Sequence, residues 1–166
     1  MHKTIYQSIG LASLTITPLF IFQVTAGECA TGTAPTAGCT ITADDTTYTM
    51  TGNIASSSST GIKFNSGSDN NVLTLTGNIS TSGNERHGIR IRISDSNTTT
   101  INGNISTSGK YAYGLYLNAS ENNTTTLTGN IIASGKEAYA LVLEDSDSNT
   151  TTLTGNISTS GNDGYG

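Results

Sequence analysis

The stretch NTTTLTGNISTSG, Asn149 to Gly161, has three near-copies upstream. Asn123 to Gly135 reads NTTTLTGNIIASG, Asn97 to Gly109 reads NTTTINGNISTSG, and Asn71 to Gly83 reads NVLTLTGNISTSG. The glycine that precedes each Asn-Ile pair falls at Gly52, Gly77, Gly103, Gly129 and Gly155, at intervals of 25, 26, 26 and 26. A fixed interval of this length is the signature of a stacked repeat, and it constrains the fold more than any other feature of the chain.

The apolar residues keep fixed offsets from that glycine. Two before it stand Met50, Leu75, Ile101, Leu127 and Leu153; two after it stand Ile54, Ile79, Ile105, Ile131 and Ile157. A second group follows: Ile89 with Ile91, Leu115 with Leu117, Leu141 with Leu143, and Ile62 with Phe64 in the shorter first repeat. Apolar and polar residues alternate, as in GIRIRI from Gly88 to Ile93. Period two predicts strands with one buried face, and nothing in the unit has helical period. One unit of two or three short strands cannot bury its own apolar side. Stacked units can, with each strand pairing to its copy at roughly 4.8 Å. The prediction is an all-β chain, a right-handed parallel β-helix of about 26-residue coils, with Leu153 and Ile157 pointing inward.

The polar positions repeat as well. Asn71, Asn97, Asn123 and Asn149 form one predicted corner ladder, and Asn53, Asn78, Asn104, Asn130 and Asn156 another. An inward asparagine at a corner can bond backbone that the turn leaves unpaired. The glycine markers suit the bend. His87, Tyr113, Tyr139 and Tyr165, ten residues after the markers, predict an aromatic ladder.

Composition alone could suggest disorder, since only 11% of the 166 residues are charged and the chain is rich in Ser, Thr, Asn and Gly. Disordered tracts do not hold Ile and Leu at fixed offsets. The formal net charge of −5 argues against a nucleic-acid surface, which needs a basic stripe.

Residues 1–26 read as a signal peptide. Lys3 is the positive residue, Ile9 to Phe22 the apolar run, and Val24-Thr25-Ala26 the small-residue cleavage site. The run is short for a membrane span, and Pro18 interrupts it. The mature chain keeps six basic and twelve acidic residues, a net charge of −6. Cys29 and Cys39 are the two cysteines; export favours a disulfide between them. Residues 27–45 are expected to cap the N-terminal end, held by that disulfide. Residues 46–166 are expected to be β-helix repeats cut in mid-coil, because Tyr165-Gly166 falls just before the next apolar strand.

An exported Thr/Asn/Gly-rich β-helix that begins soon after a signal peptide resembles the passenger region of bacterial autotransporters. The resemblance covers about residues 40–166 and rests on TGNISTSG and on motifs such as Gly88 to Ile91 and Gly114 to Leu117. It implies a C-terminal outer-membrane β-barrel, a place at the cell surface, and a stalk or adhesin role toward a host-surface or glycan ligand.

No catalytic residues and no cofactor are read from the repeat. The acidic corners at Asp69, Asp95, Glu121 and the Glu144–Asp147 stretch could hold Ca²⁺ through oxygen. The repeat lacks the pattern of calcium-binding rolls, so they read as solvated turn residues. His87 lacks a nucleophile partner and reads as a ladder member. Lys63, Arg90 and Arg92 project from one strand face, with Tyr116 beside Arg90 in the next coil, where a cation–π pair is predicted. Those four are the candidate surface contact. Thr98, Thr100, Thr124, Thr126, Thr150 and Thr152 face outward as a T-x-T grid, of the kind found on ice-binding solenoids. Thr is also simply a good residue for a solvated strand face. Two alternatives to the stalk follow: an ice-binding solenoid, and a β-helix polysaccharide enzyme carrying a persistent Asp/Lys/Arg cluster. The N-x-S/T sequons matter only in a eukaryotic secretory route.

Overall fold

The computed structural model describes residues 27–165, and the segment read as a signal peptide lies outside them. The described residues contain no helix. Their strands form three parallel sheets, and each full coil gives one strand to each. Sheet A holds β1 (Gly27–Glu28), β3 (Cys39–Ile41), β6 (Ile62–Phe64), β9 (Ile89–Arg92), β12 (Leu115–Asn118) and β15 (Leu141–Glu144). Sheet B holds β2 (Gly32–Thr33), β4 (Thr47–Thr51), β7 (Val72–Thr76), β10 (Thr98–Asn102), β13 (Thr124–Thr128) and β16 (Thr150–Thr154). Sheet C holds β5 (Ile54–Ser56), β8 (Ile79–Thr81), β11 (Ile105–Thr107), β14 (Ile131–Ala133) and β17 (Ile157–Thr159). This is a β-solenoid, with Thr98 paired to Thr124 and Thr124 to Thr150, one repeat apart.

The alternation read from the sequence becomes three sets of apolar columns. Ile62, Ile89 and Leu115 stack from sheet A, Leu75, Ile101 and Leu127 from sheet B, and Ile54, Ile79, Ile105 and Ile131 from sheet C, all buried. Removing this apolar surface from water is the main force for stacking, since no coil can bury it alone. Leu153 and Ile157 keep the expected inward places, in register with Leu127 and Ile131, but the last coil leaves them less covered. Ile157 is 42% exposed and Leu153 only partly buried. Their copies are buried because a further coil lies over them, and among the described residues none lies over β16 and β17.

The corners are held by ladders of side chain on backbone. In the buried ladder, Asn97 Oδ1 accepts the Asn71 N–H at 2.9 Å, Asn123 Oδ1 the Asn97 N–H at 2.9 Å, and Asn149 Oδ1 the Asn123 N–H at 2.8 Å. The second ladder is largely exposed and runs the other way, with Asn53 Oδ1 accepting the Asn78 N–H at 2.8 Å and so on to Asn156. The glycine of each marker lies at positive φ, +153° at Gly77. A Cβ there would collide with the Gly52 carbonyl of the preceding coil, so the corner demands glycine twice over.

A disulfide joins Cys29 to Cys39. It ties the residue just after β1 to the first residue of β3, and both cysteines join the core. β1 pairs with β3 and β2 with β4, so these short strands lie over the first coil.

Candidate functional site: one variable strand face

The three outward faces differ in what they carry. On sheet C the outward positions are Ala55, Ser80, Ser106, Ile132 and Ser158 in register. On sheet B they are almost all threonine. Thr49, Thr74, Thr100, Thr126 and Thr152 form one unbroken row. The rows on either side depart from threonine only at Val72 and Asn102. The predicted contacts Thr98, Thr100, Thr124, Thr126, Thr150 and Thr152 all lie in this grid, and it extends two coils further toward the N-terminus than those six residues.

Sheet A is different. Its central outward row runs Thr40, Lys63, Arg90, Tyr116 and Val142. Beside it run Arg92, Asn118 and Glu144. A repeat copies itself, yet this face changes residue type in every coil.

The side chains along it are linked. Arg92 Nε donates to Asn118 Oδ1 at 3.1 Å. Asn118 Nδ2 and the Tyr116 hydroxyl both donate to Glu144 Oε2, at 3.2 Å and 2.7 Å. Burial and the hydrogen bond to Glu144 push the Tyr116 pKa up to about 12, so its hydroxyl stays a donor at neutral pH.

The predicted aromatic ladder forms at the edge of this face. Ring centroids lie 5.0 Å apart for His87 and Tyr113, 5.4 Å for Tyr113 and Tyr139, and 5.6 Å for Tyr139 and Tyr165. Tyr116 packs on its flank, 5.0 Å from His87 and 5.3 Å from Tyr113. This engagement corrects one expectation. Tyr116 is taken up by the ladder and by Glu144, and the cation–π contact forms instead between Lys110 and Tyr111, 4.3 Å from nitrogen to centroid.

His87 is buried, and its Nδ1 accepts the Tyr113 N–H at 3.0 Å. Burial, reinforced by the charges of Arg90 and Arg86, lowers its pKa to about 4. It is a neutral ladder member. The acidic corners form a ladder too: Asp44 accepts the Asp69 N–H, Asp69 that of Asp95, and Asp95 that of Glu121. They serve the turns, and no group of three His, Cys, Asp or Glu among the described residues is arranged to hold a metal ion.

The feature missed in sequence is a hollow of about 210 Å³ at the N-terminal end of sheet A. Lys63, Arg86 and Arg90 converge on it, among the hydroxyls of Thr40, Ser58, Ser59 and Thr60. Its origin is a shortened turn. Ile54 pairs with Ile79, 25 residues on, but Ile62 pairs with Ile89, 27 on, so the first coil's turn is two residues shorter than the next. Thr60 stands where the next coil has His87, so the aromatic ladder stops there. The shortened first repeat was the sequence signal for it. A second hollow of about 490 Å³ at the other end of the face is walled by Tyr113, Tyr139 and Tyr165 with Leu143.

The family model described as periplasmic copper-binding protein (NosD) matches residues 23–166. The chain belongs to that family. No curated protein and no solved structure matches it.

Proposed function

We propose that this protein is an exported, non-catalytic β-solenoid that displays a recognition face, as the passenger of an autotransporter-type surface protein does. The observation that carries the reading is the contrast between faces. Sheets B and C carry mostly Ser and Thr, with uncharged departures such as Val72, Asn102, Ala55 and Ile132, while sheet A concentrates the charged and aromatic residues. Contact with a partner is a reason for one outward face alone to carry such residues; core packing is not, since these side chains point away from the core. In this reading the solenoid is a stalk or adhesin, a C-terminal outer-membrane β-barrel is its carrier, and a host-surface or glycan ligand is its partner.

Export is supported by the leader-like N-terminus, the disulfide, and the periplasmic placement in the family's description. That description also names copper. The described residues do not fit it. Copper takes imidazole, thiolate and thioether donors. His87 has its Nδ1 engaged and its ring stacked, both cysteines are in the disulfide, and Met50 is fully buried in the core.

Antibody against the mature chain, applied to intact cells, tests surface display. Labelling before the outer membrane is permeabilised is expected. Labelling only afterwards would make this a periplasmic protein and overturn the passenger reading.

The threonine grid of sheet B favours a second reading, ice binding. Its hydroxyls repeat at roughly 7 Å along the strand and 4.8 Å across coils. Thermal hysteresis in a solution of the mature protein would support it; its absence removes that reading. A polysaccharide-degrading enzyme is the third, and it would need a carboxylate among the cations. The lining of the cationic hollow has none.

A further inference from the structure

We infer that the hollow bounded by Lys63, Arg86 and Arg90 is a binding site for the carboxylate or sulfate groups of an acidic polysaccharide. The inference rests on the recognition-face reading and names that face's ligand class.

The distribution of charge carries it. The mature chain holds six basic residues against twelve acidic ones. In so acidic a protein each cation is expected near a carboxylate. Lys110 and Lys136 obey, both lying against Glu137 at 3.9 Å and 3.5 Å. The other four, Lys63, Arg86, Arg90 and Arg92, gather at one end of one face, and none forms an ion pair among the described residues. Lys63 and Arg90 are register partners on adjacent strands, as close as two strand residues come. Like charges at such a spacing repel each other and destabilise the pair unless an anion lies between them.

Arg90 supplies a second, independent observation. Its Nε is buried, and no hydrogen-bond partner meets it among the described residues. A buried guanidinium N–H without an acceptor is costly, and because Arg90 also lines the hollow, an oxyanion bound there by its remaining N–H groups would offset the charge that is poorly solvated. The hydroxyls of Thr40, Ser58, Ser59 and Thr60 can supply further donors to the same anion.

The neighbourhood points to a sugar rather than a free ion. The outward row continues from Lys63 and Arg90 to Tyr116, with the partly exposed Tyr113 beside it. Aromatic rings are amphipathic platforms, apolar in body with a polar tip, and suit the C–H face of a pyranose. A polysaccharide lying across the coils would place an acidic group in the hollow and a neighbouring ring on the tyrosines.

The test is titration calorimetry of the mature protein with oligogalacturonate and with a heparin oligosaccharide. Fully methyl-esterified oligogalacturonate and inorganic sulfate serve as controls. At least one acidic oligosaccharide should bind, more weakly as sodium chloride rises. Arg90→Gln, and separately Lys63→Gln, should each weaken binding by about tenfold, the loss of one charge-assisted contact. Circular dichroism of each variant checks the fold, and both positions are on the surface side of their strands. Equal binding of the methyl ester, binding of sulfate alone, no binding of either acid, or binding unchanged in both variants overturns the site. These outcomes are separate from surface display: a displayed protein that fails to bind loses the site and keeps the passenger reading.

Discussion

Asn123 Oδ1 accepts two hydrogen bonds from Asn97, from its backbone N–H at 2.9 Å and its side-chain Nδ2 at 3.1 Å, with both residues at 1% exposure. One carboxamide oxygen therefore ties a coil to the next at a corner where the parallel ladders are interrupted. The turn there places Ser96 and Asn122 at positive φ, and its backbone would lack acceptors without the asparagines.

Asn97→Ala should cost the solenoid about 2–4 kcal/mol. It removes the acceptor of the Asn71 N–H at 2.9 Å, leaving that buried donor unpaired, and deletes the Asn97 Nδ2 bond to Asn123 Oδ1 at 3.1 Å. Urea denaturation of the mature protein checks the value. The matching change in the exposed ladder, Asn104→Ala, should cost much less, since water can replace the lost acceptor.

Stability should fall as pH drops from about 6.5 to about 4. His87 has its pKa lowered to about 4 by burial and by Arg90 and Arg86, against 6.5 unfolded. The unfolded chain therefore takes up the proton first, and the stability contribution is complete above the unfolded value and lost below it. The largest loss from this group is about 3 kcal/mol. Protonation at Nδ1 would also break the bond from the Tyr113 N–H. Thermal melts across this range should show the decline, and His87→Tyr, which matches the rest of the ladder, should flatten it.

Thr125→Val should hold or raise stability, by up to about 1 kcal/mol. The middle threonine of each T-T-T run points inward, and the hydroxyls of Thr99, Thr125 and Thr151 are buried without partners. Valine keeps the shape and removes the unpaired group. Leu73 and Tyr48 already occupy this inward row in the earlier coils. A clear loss of stability on melting would mean the hydroxyl has a partner.

Much of this architecture was legible in the sequence because stacking forces each coil to repeat its neighbour. Gly77 and Gly103 need no side chain for the same reason, and Ile79 and Ile105 fill equivalent places. What escaped lay where the repeat is imperfect. Arg86 was read only as a neighbour of His87, since its convergence with Lys63 depends on two residues missing from an earlier turn. Tyr116 looked free to meet Arg90, but its hydroxyl and ring were claimed by Glu144 and His87, and such competition is invisible to spacing. Ile157 does take the inward place its copies take, but spacing cannot say how far it is covered, which depends on the next coil.

Ile93→Asn should stabilise the fold by about 1 kcal/mol. Ile93 has φ +49° and is 49% exposed. A β-branched residue is strained in the left-handed region, which asparagine tolerates, and little apolar contact is lost. The equivalent positions in later coils are Ala119 and Asp145, also at positive φ. A rise in melting temperature is the expected reading; a fall would show that the exposed side chain packs better than its exposure implies.

The central claim is that recognition belongs to sheet A and to no other face. Attachment of the mature protein to surfaces coated with oligogalacturonate or with heparin, compared between two variants, tests it most directly. One variant carries Lys63→Gln with Arg90→Gln; the other carries Thr100→Val, Thr126→Val and Thr152→Val. The account predicts that the first loses attachment while the second keeps that of the unaltered protein. Attachment that survives the first change and fails with the second would contradict it and move recognition to the threonine face.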